Sequence, residues 1–404
     1  MVVRGPFIVP GFRVSTAASG MRYSGRPDLA LIAAESGDGA TAAGVFTTNQ
    51  FCAAPVVVCE EHLRSSSTTA GVLINAGIAN ACTGEVGLMR ARETTHLVAR
   101  ALKVHPEQIL IASTGVIGLH LDVEPVARSV PELVEGLQPD GWDRVARSIM
   151  TTDTVPKLAS MQVQISGKTA TIGGVAKGSG MIAPNMATML AFVCTDVAIG
   201  RDVLEHWVRV ASDASFNAIT VDGDTSTNDS LLVLASGVAA NPVIKDVGSP
   251  ESQLFGEALK GVLLDLAKQT VMDGEGATKL IEIQVMGALD DASARLVAFT
   301  IANSPLVKTA FFGEDANWGR IVCAAGRAGV HLIPERVALH FDGLCVFREG
   351  TPVGGRETEE RASQIFRQKE ITVRLDLGLG GSSFTVYTCD FSYDYVKINA
   401  SYRS

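Results

Sequence analysis

The spacing of apolar residues along the chain switches repeatedly between a strand period and a helix period. Short apolar runs divided by glycine-rich turns predict strands at 29–34, 42–47, 55–59, 71–75 and 108–113. Between them, Leu88, Ala91, Thr95, Val98, Ala99 and Leu102 fall on one face of a helix predicted over 86–104. Further helices are predicted at 125–137 and 142–150, then strands at 160–165 and 169–175. The unbroken apolar run at 188–195 reads as a strand buried on both faces.

The second half repeats the alternation. A helix at 201–216 carries Val203, Trp207, Val210 and Ala211, and a strand follows at 230–236. A long amphipathic helix at 251–271 carries Phe255, Leu259, Val262, Leu263 and Leu266. Strands are predicted at 279–285 and 294–302, and a helix at 318–327. Asp342-Gly343, between strands at 336–341 and 344–347, is a dipeptide favoured in two-residue hairpins. A charged helix at 357–368 precedes a closing strand pair at 371–377 and 383–389. Strands and helices do not alternate one for one, so a doubly wound parallel sheet fits poorly. The pattern predicts an α+β fold, with helices packed over mixed or antiparallel sheets. No internal repeat or low-complexity linker marks a domain boundary.

Composition narrows the class. The 404 residues are 47% hydrophobic and 19% charged, which suits a packed globular body. A net charge of −9 argues against a nucleic-acid partner. Pro6, Pro10 and Arg13 interrupt the amino-terminal stretch, so no signal peptide is expected. The longest apolar runs are strand-length, too short to span a bilayer. The 7 cysteines are scattered with no C-x-x-C, as in reduced proteins. A soluble, cytoplasmic protein is the expectation.

Several familiar motifs fail. Gly378-Leu379-Gly380-Gly381 leads into a strand rather than a helix, unlike a dinucleotide loop. Neither a P-loop nor a G-x-S-x-G elbow occurs. Asp222-Gly223-Asp224-Thr225-Ser226-Thr227-Asn228-Asp229 begins like a calcium loop. It has Thr227 and Val233 where such a loop needs Gly and Glu, so a polar turn or an active-site wall is expected. The 7 histidines form no metal-binding pair, and no metal is expected. One remaining route to nucleophilic chemistry is a threonine activated by its own α-amine after chain cleavage.

The stretch that permits this is Lys177-Gly178-Ser179-Gly180-Met181-Ile182-Ala183-Pro184-Asn185-Met186-Ala187-Thr188-Met189-Leu190. Its glycines allow close backbone approach and Pro184 stiffens the turn before Thr188. Local chemistry alone favours an ordinary glycine-rich loop between two strands.

The stretch closely resembles the ornithine acetyltransferase (glutamate N-acetyltransferase) family, and it does not stand alone. Asn75-Ala76-Gly77-Ile78-Ala79-Asn80-Ala81-Cys82-Thr83-Gly84, Ser113-Thr114-Gly115-Val116-Ile117-Gly118 and Met150-Thr151-Thr152-Asp153-Thr154 are similar to family segments, in the family's order. So are the segment from Val221 to Asp229, Asp273-Gly274-Glu275-Gly276-Ala277-Thr278-Lys279, Asp315-Ala316-Asn317-Trp318-Gly319-Arg320 and the final Asn399-Ala400-Ser401-Tyr402-Arg403-Ser404. The resemblance spans essentially the whole chain.

It implies a layered α/β sandwich of the N-terminal-nucleophile type, cut between Ala187 and Thr188 into an α chain (1–187) and a β chain (188–404). It implies that Thr188 takes the acetyl group from N-acetylornithine and passes it to glutamate in a ping-pong reaction of arginine biosynthesis. No cofactor is implied, and acetyl-CoA is left open as a co-substrate. Thr114 and Gly115 would hold the oxyanion. Thr151, Lys177, Thr188, Glu275, Asn399 and Ser404 would bind substrate, with Ser404 standing where the family usually has threonine. The implied assembly is a dimer of αβ units. The alternatives are a self-processing amidase or aminopeptidase of the same fold type, with water as acceptor, and a non-catalytic binder of small molecules.

Overall fold

A computed structural model describes residues 1–183 and 189–401. Three mixed sheets carry the architecture, each faced by helices. The first has the order Phe12–Ala17, Leu29–Ala34, Gly71–Ile78, Ile109–Val116, and its last two strands run parallel. The second has the order Thr41–Phe46, Ser230–Ala235, Leu190–Thr195, Lys168–Lys177, Lys157–Ile165. The third contains seven strands, centred on Glu370–Asp376, Leu280–Ala288 and Ser382–Cys389. This is the layered α+β arrangement expected from the sequence.

The second sheet lies between two cores. Along Leu190–Thr195, Leu190, Phe192 and Cys194 face the core shared with the first sheet, while Ala191 and Val193 face the other. Ser230–Ala235 alternates likewise, with Leu232 and Leu234 on one side and Leu231 and Val233 on the other. Period-two alternation with both faces buried explains why the run within Leu190–Thr195 reads as continuously apolar up to Cys194. The helices Arg201–Asp213 and Pro250–Met272 cover the second core.

Two predicted strands are helices. Residues 55–59 lie in the helix Ala54–Ser65, where Pro55 occupies the first turn and Ala54, Val58, His62 and Val56, Cys59, Leu63 are buried. Packing overrides the strand preference of its three valines. Residues 294–302 lie in the helix Asp291–Ala302. Asp290 caps it by accepting from the Ser293 N–H at 2.7 Å, and Ala294, Val297, Ala298, Ile301 and Ala302 are buried at helical spacing. The strand Phe12–Ala17 and the helices Pro305–Phe312 and Tyr393–Ser401 were not predicted. The Asp342-Gly343 turn is as expected, with φ of 43° and 85° joining the paired Phe341 and Leu344.

Lys168–Lys177 and Leu190–Thr195 are antiparallel neighbours, and Lys177 pairs with Leu190. The connection between them therefore starts and ends at one edge of the layered core. That edge carries the site. The boundary implied at Ala187–Thr188 does not separate two folding units, since strands from both sides of it share the central sheet.

Candidate active site

The parallel strands Gly71–Ile78 and Ile109–Val116 end side by side, and Gly77 pairs with Gly115. Both glycines have positive φ, 116° and 130°. A Cβ on Gly115 would stand 2.1 Å from the Gly77 carbonyl carbon, so only glycine fits. The preceding Ser113 and Thr114 are buried. Their strand end is tied to the far half of the chain by Asn228, whose amide donates to the Ala79 and Ser113 carbonyls at 2.6 and 2.9 Å.

Lys177, the last residue of its strand, turns its side chain to this same point. Its ammonium donates to Thr114 Oγ1 at 3.0 Å and to Thr151 Oγ1 at 2.9 Å. Burial pushes the Lys177 pKa down, Lys157 adds to that, and Asp153, Asp229 and Glu275 oppose it.

Beneath Lys177 is a buried ionic network. Lys157 Nζ donates to Asp153 Oδ1 and Asp273 Oδ2, each at 2.6 Å. Asp153 also accepts from the Gly178 N–H at 2.7 Å and the Thr151 N–H at 3.1 Å. Asp273 takes the Thr154 N–H and hydroxyl. Burial works to raise the Asp153 carboxyl. Lys157, Lys177 and the Gly178 N–H outweigh it and hold Asp153 down at about 2. One carboxylate thus ties together two backbone segments that carry cleft residues, at Thr151 and at Gly178 beside Lys177.

Glu275 lines the same cleft as the lysine. Its N–H donates to the Ser179 carbonyl at 2.8 Å, and its Oε2 accepts from the Asn399 amide at 2.9 Å. A Cβ on Gly180 would lie 2.5 Å from that carboxylate, so the glycine makes room for it. Asn399 sits on Tyr393–Ser401, a helix held by a Phe391–Tyr395 ring stack and by the Ser392 hydroxyl on the Gly276 carbonyl at 2.6 Å. The carboxyl-terminal helix is anchored where sequence position alone suggests fraying.

Thr114, Gly115, Thr151, Lys177, Glu275 and Asn399, distant in sequence, therefore line a single cleft. Ala187, Thr188 and Ser404 lie outside the described residues; Met189 is the first described residue after the junction. Ser226, Thr227 and Asn228 form one side of the cleft, so the acidic segment is a wall of the site, the alternative favoured over a cation loop. Among the described residues no group of three or more His, Cys, Asp or Glu side chains is set to hold a metal ion. No helix among them is long and apolar enough to cross a membrane.

Sequence reasoning missed Asp153, Lys157, Asp273, Asn228 and Asp229. Four of these stand inside segments that carried the family resemblance, which was the available signal. Lys157 had none.

The sequence profile of the ArgJ family matches residues 13–404. The chain belongs to the ArgJ family. Arginine biosynthesis bifunctional protein ArgJ of Geobacter sulfurreducens is 50% identical over 396 residues, covering 98% of this chain and 100% of that protein. Its counterpart in Desulfotalea psychrophila is 51% identical, again over 98% of this chain and 100% of that protein. The crystal structure of arginine biosynthesis bifunctional protein ArgJ from Bacillus halodurans aligns with a TM-score of 0.50 and 42% identity, covering 52% of this chain and 98% of that one. The Geobacter and Desulfotalea relatives are each matched over their whole length.

Proposed function

We propose that this chain transfers the acetyl group of N2-acetyl-L-ornithine to L-glutamate, giving L-ornithine and N-acetyl-L-glutamate for arginine biosynthesis. The observation that carries the reading is the placement of opposite charges, Lys177 and Glu275, in one cleft beside Thr114 and Gly115. N-acetylornithine bears an α-carboxylate and a side-chain ammonium. Lys177 suits the first and Glu275, oriented by Asn399, suits the second. Glutamate shares the α-carboxylate, so both substrates can use the lysine in turn.

Thr188 serves as nucleophile. Self-cleavage frees its α-amine, whose reference pKa near ~8 suits a general base. The amine takes the hydroxyl proton as the oxygen attacks the acetyl carbonyl. Ornithine leaves, and the acetyl-threonine ester then passes its acyl group to the glutamate amine. Each step crosses a tetrahedral oxyanion. Because the Lys177 ammonium donates to Thr114 Oγ1, the Thr114 hydroxyl proton is left to donate elsewhere. Together with the Gly115 N–H it gives two donors for that charge. Ser404, at the chain's end, is assigned to substrate with Asn399 and Thr151.

The exchange joins two acetylated α-amines of like energy, so it needs no cofactor; acetyl-CoA enters only as a second acetyl donor. The assembly is a dimer of αβ units. The deciding experiment incubates the purified protein with labelled N-acetylornithine, with and without glutamate. Label in N-acetylglutamate supports the reading, and free acetate as the main product with glutamate present supports an amidase instead.

A further inference from the structure

The implied cleavage junction falls between two described anchors, Ile182 upstream and Met189 downstream, and both are held by one segment. Upstream, the Met181 and Ile182 N–H groups donate to Asp222 Oδ2 and Oδ1 at 2.6 and 2.9 Å. The Ile182 carbonyl accepts from the Val221 N–H at 2.8 Å and from the Thr220 hydroxyl at 3.1 Å. Met181 adopts φ of 59°, a left-handed conformation unfavourable for a side chain, and Asp222 grips the backbone there. Downstream, the Met189 N–H donates to Asp229 Oδ1 at 2.9 Å, and the Met189 carbonyl accepts from the Ser230 N–H at 3.1 Å.

The segment itself is braced. The Asp224 N–H returns to Asp222 Oδ1 at 3.2 Å, and the Asn228 N–H donates to Ser226 Oγ at 3.1 Å. Through Asn228 the segment is joined to the carbonyl of Ser113, the residue before Thr114. The anchors of the junction and the oxyanion donors are thus parts of one hydrogen-bonded body. Asp229 is fully buried, with the Ser226 hydroxyl beside its carboxylate.

We infer that Asp222 and Asp229 are positioning residues for self-cleavage, forming a frame that holds the backbone on both sides of the Ala187–Thr188 bond. The inference rests on the reading of Thr188 as a self-cleaving nucleophile. In that step the Thr188 oxygen bonds to the Ala187 carbonyl carbon while the C–N bond breaks, and the hydroxyl proton passes to the departing nitrogen. Water then adds across the ester, leaving the Ala187 carboxyl and restoring the hydroxyl. An attack within one residue gains most when the flanking chain cannot drift, and fixing both flanks removes that freedom. The upstream flank belongs to the α chain, so Asp222 also keeps the cut end docked on the β chain.

The test follows conversion of freshly synthesised full-length chain to two pieces by intact mass. The variants are Asp222→Asn, Asp222→Ala and Asp229→Asn, with Asp224→Asn as a control that keeps the backbone bond. Expected is cleavage slowed at least about tenfold in both Asn variants, more in Asp222→Ala, and unchanged in the control, with thermal midpoints near the parent's. The grading matters, because asparagine keeps one acceptor and alanine none. Wild-type cleavage rates in both Asp222 variants would overturn the frame. Should Asp229→Asn not fold, Asp222→Asn, at the half-buried end of the segment, decides by itself. A parent chain that stays uncut would overturn the self-cleaving reading itself, a result separate from equal rates in parent and variants.

Discussion

The Lys177 ammonium donates to the Thr114 hydroxyl oxygen at 3.0 Å, joining the exit of a central strand to the exit of the first sheet's last strand. The bond fixes which way the Thr114 proton can point. Thr114→Val, which keeps the volume and removes the donor, should lower kcat roughly a hundredfold with KM little changed. Steady-state transfer kinetics check this. An unchanged kcat would remove Thr114 from the oxyanion site.

Lys177 and Glu275 should divide differently. Lys177→Met removes the positive partner of a carboxylate common to both substrates, so KM should rise for N-acetylornithine and glutamate alike. Glu275→Gln should raise KM for N-acetylornithine by roughly tenfold or more, consistent with loss of about 1.5–3 kcal/mol in a charged hydrogen bond. Separate titrations of the two substrates read both effects.

Gly115→Ala should be the most damaging single methyl at the site. Its Cβ would meet the Gly77 backbone, which no rotamer change can relieve. Loss of acetyl transfer and a Tm lower by several degrees are expected, corresponding to an overpacking cost of about 1–3 kcal/mol. Differential scanning calorimetry beside the transfer assay separates this from Thr114→Val, whose Tm should fall less, since it costs the Lys177 ammonium one acceptor and brings no backbone clash.

Acid should loosen the network under Lys177 in a defined window. Asp153 is held at about 2, below its ordinary value of 3.8, once the cationic neighbours have outweighed burial. A carboxyl depressed by folding stabilises above its unfolded pKa, and that stabilisation is lost as pH falls towards the folded value. The contribution, on the order of 2 kcal/mol, is therefore present above about pH 4 and disappears on the way to pH 2. Thermal midpoints across that range should fall less steeply in Asp153→Asn than in the parent. Equal slopes would show that Asp153 is not a source of acid sensitivity.

Thr188→Ala should stay a single chain with no acetyl transfer, read by intact mass and the labelled-substrate assay. A cut or active variant would end the nucleophile assignment.

What was legible in the sequence follows from period and turn chemistry. Leu29–Ala34 and the Asp342-Gly343 hairpin are plain because local pattern and final packing agree. Residues 55–59 misled because three adjacent valines favour strand, whereas Pro55 and a buried face extending to Leu63 favour helix. Residues 294–302 misled because alanines weaken the apparent period of a face that starts only after the Asp290 cap. The cleft residues were placed by resemblance alone, since nothing local brings Thr114 to Lys177 or Glu275 to Asn399. Lys157 could not be foreseen. In sequence it is one more charged residue, and only the fold reveals two carboxylates meeting it in the interior.

The central sheet has a consequence for the life history of the molecule. Its strands Lys157–Ile165 and Lys168–Lys177 precede the junction, while Leu190–Thr195 and Ser230–Ala235 follow it. On the proposed cleavage, the two polypeptides would meet across a shared interior instead of an ordinary subunit contact. Dilution would not separate them short of unfolding, and exchange of α and β pieces between native molecules would be closed off. Refolding would change kind, however, because a unimolecular search would become an encounter of two partners. A cut molecule would be durable while folded and, after denaturation, would recover with a yield that depends on concentration.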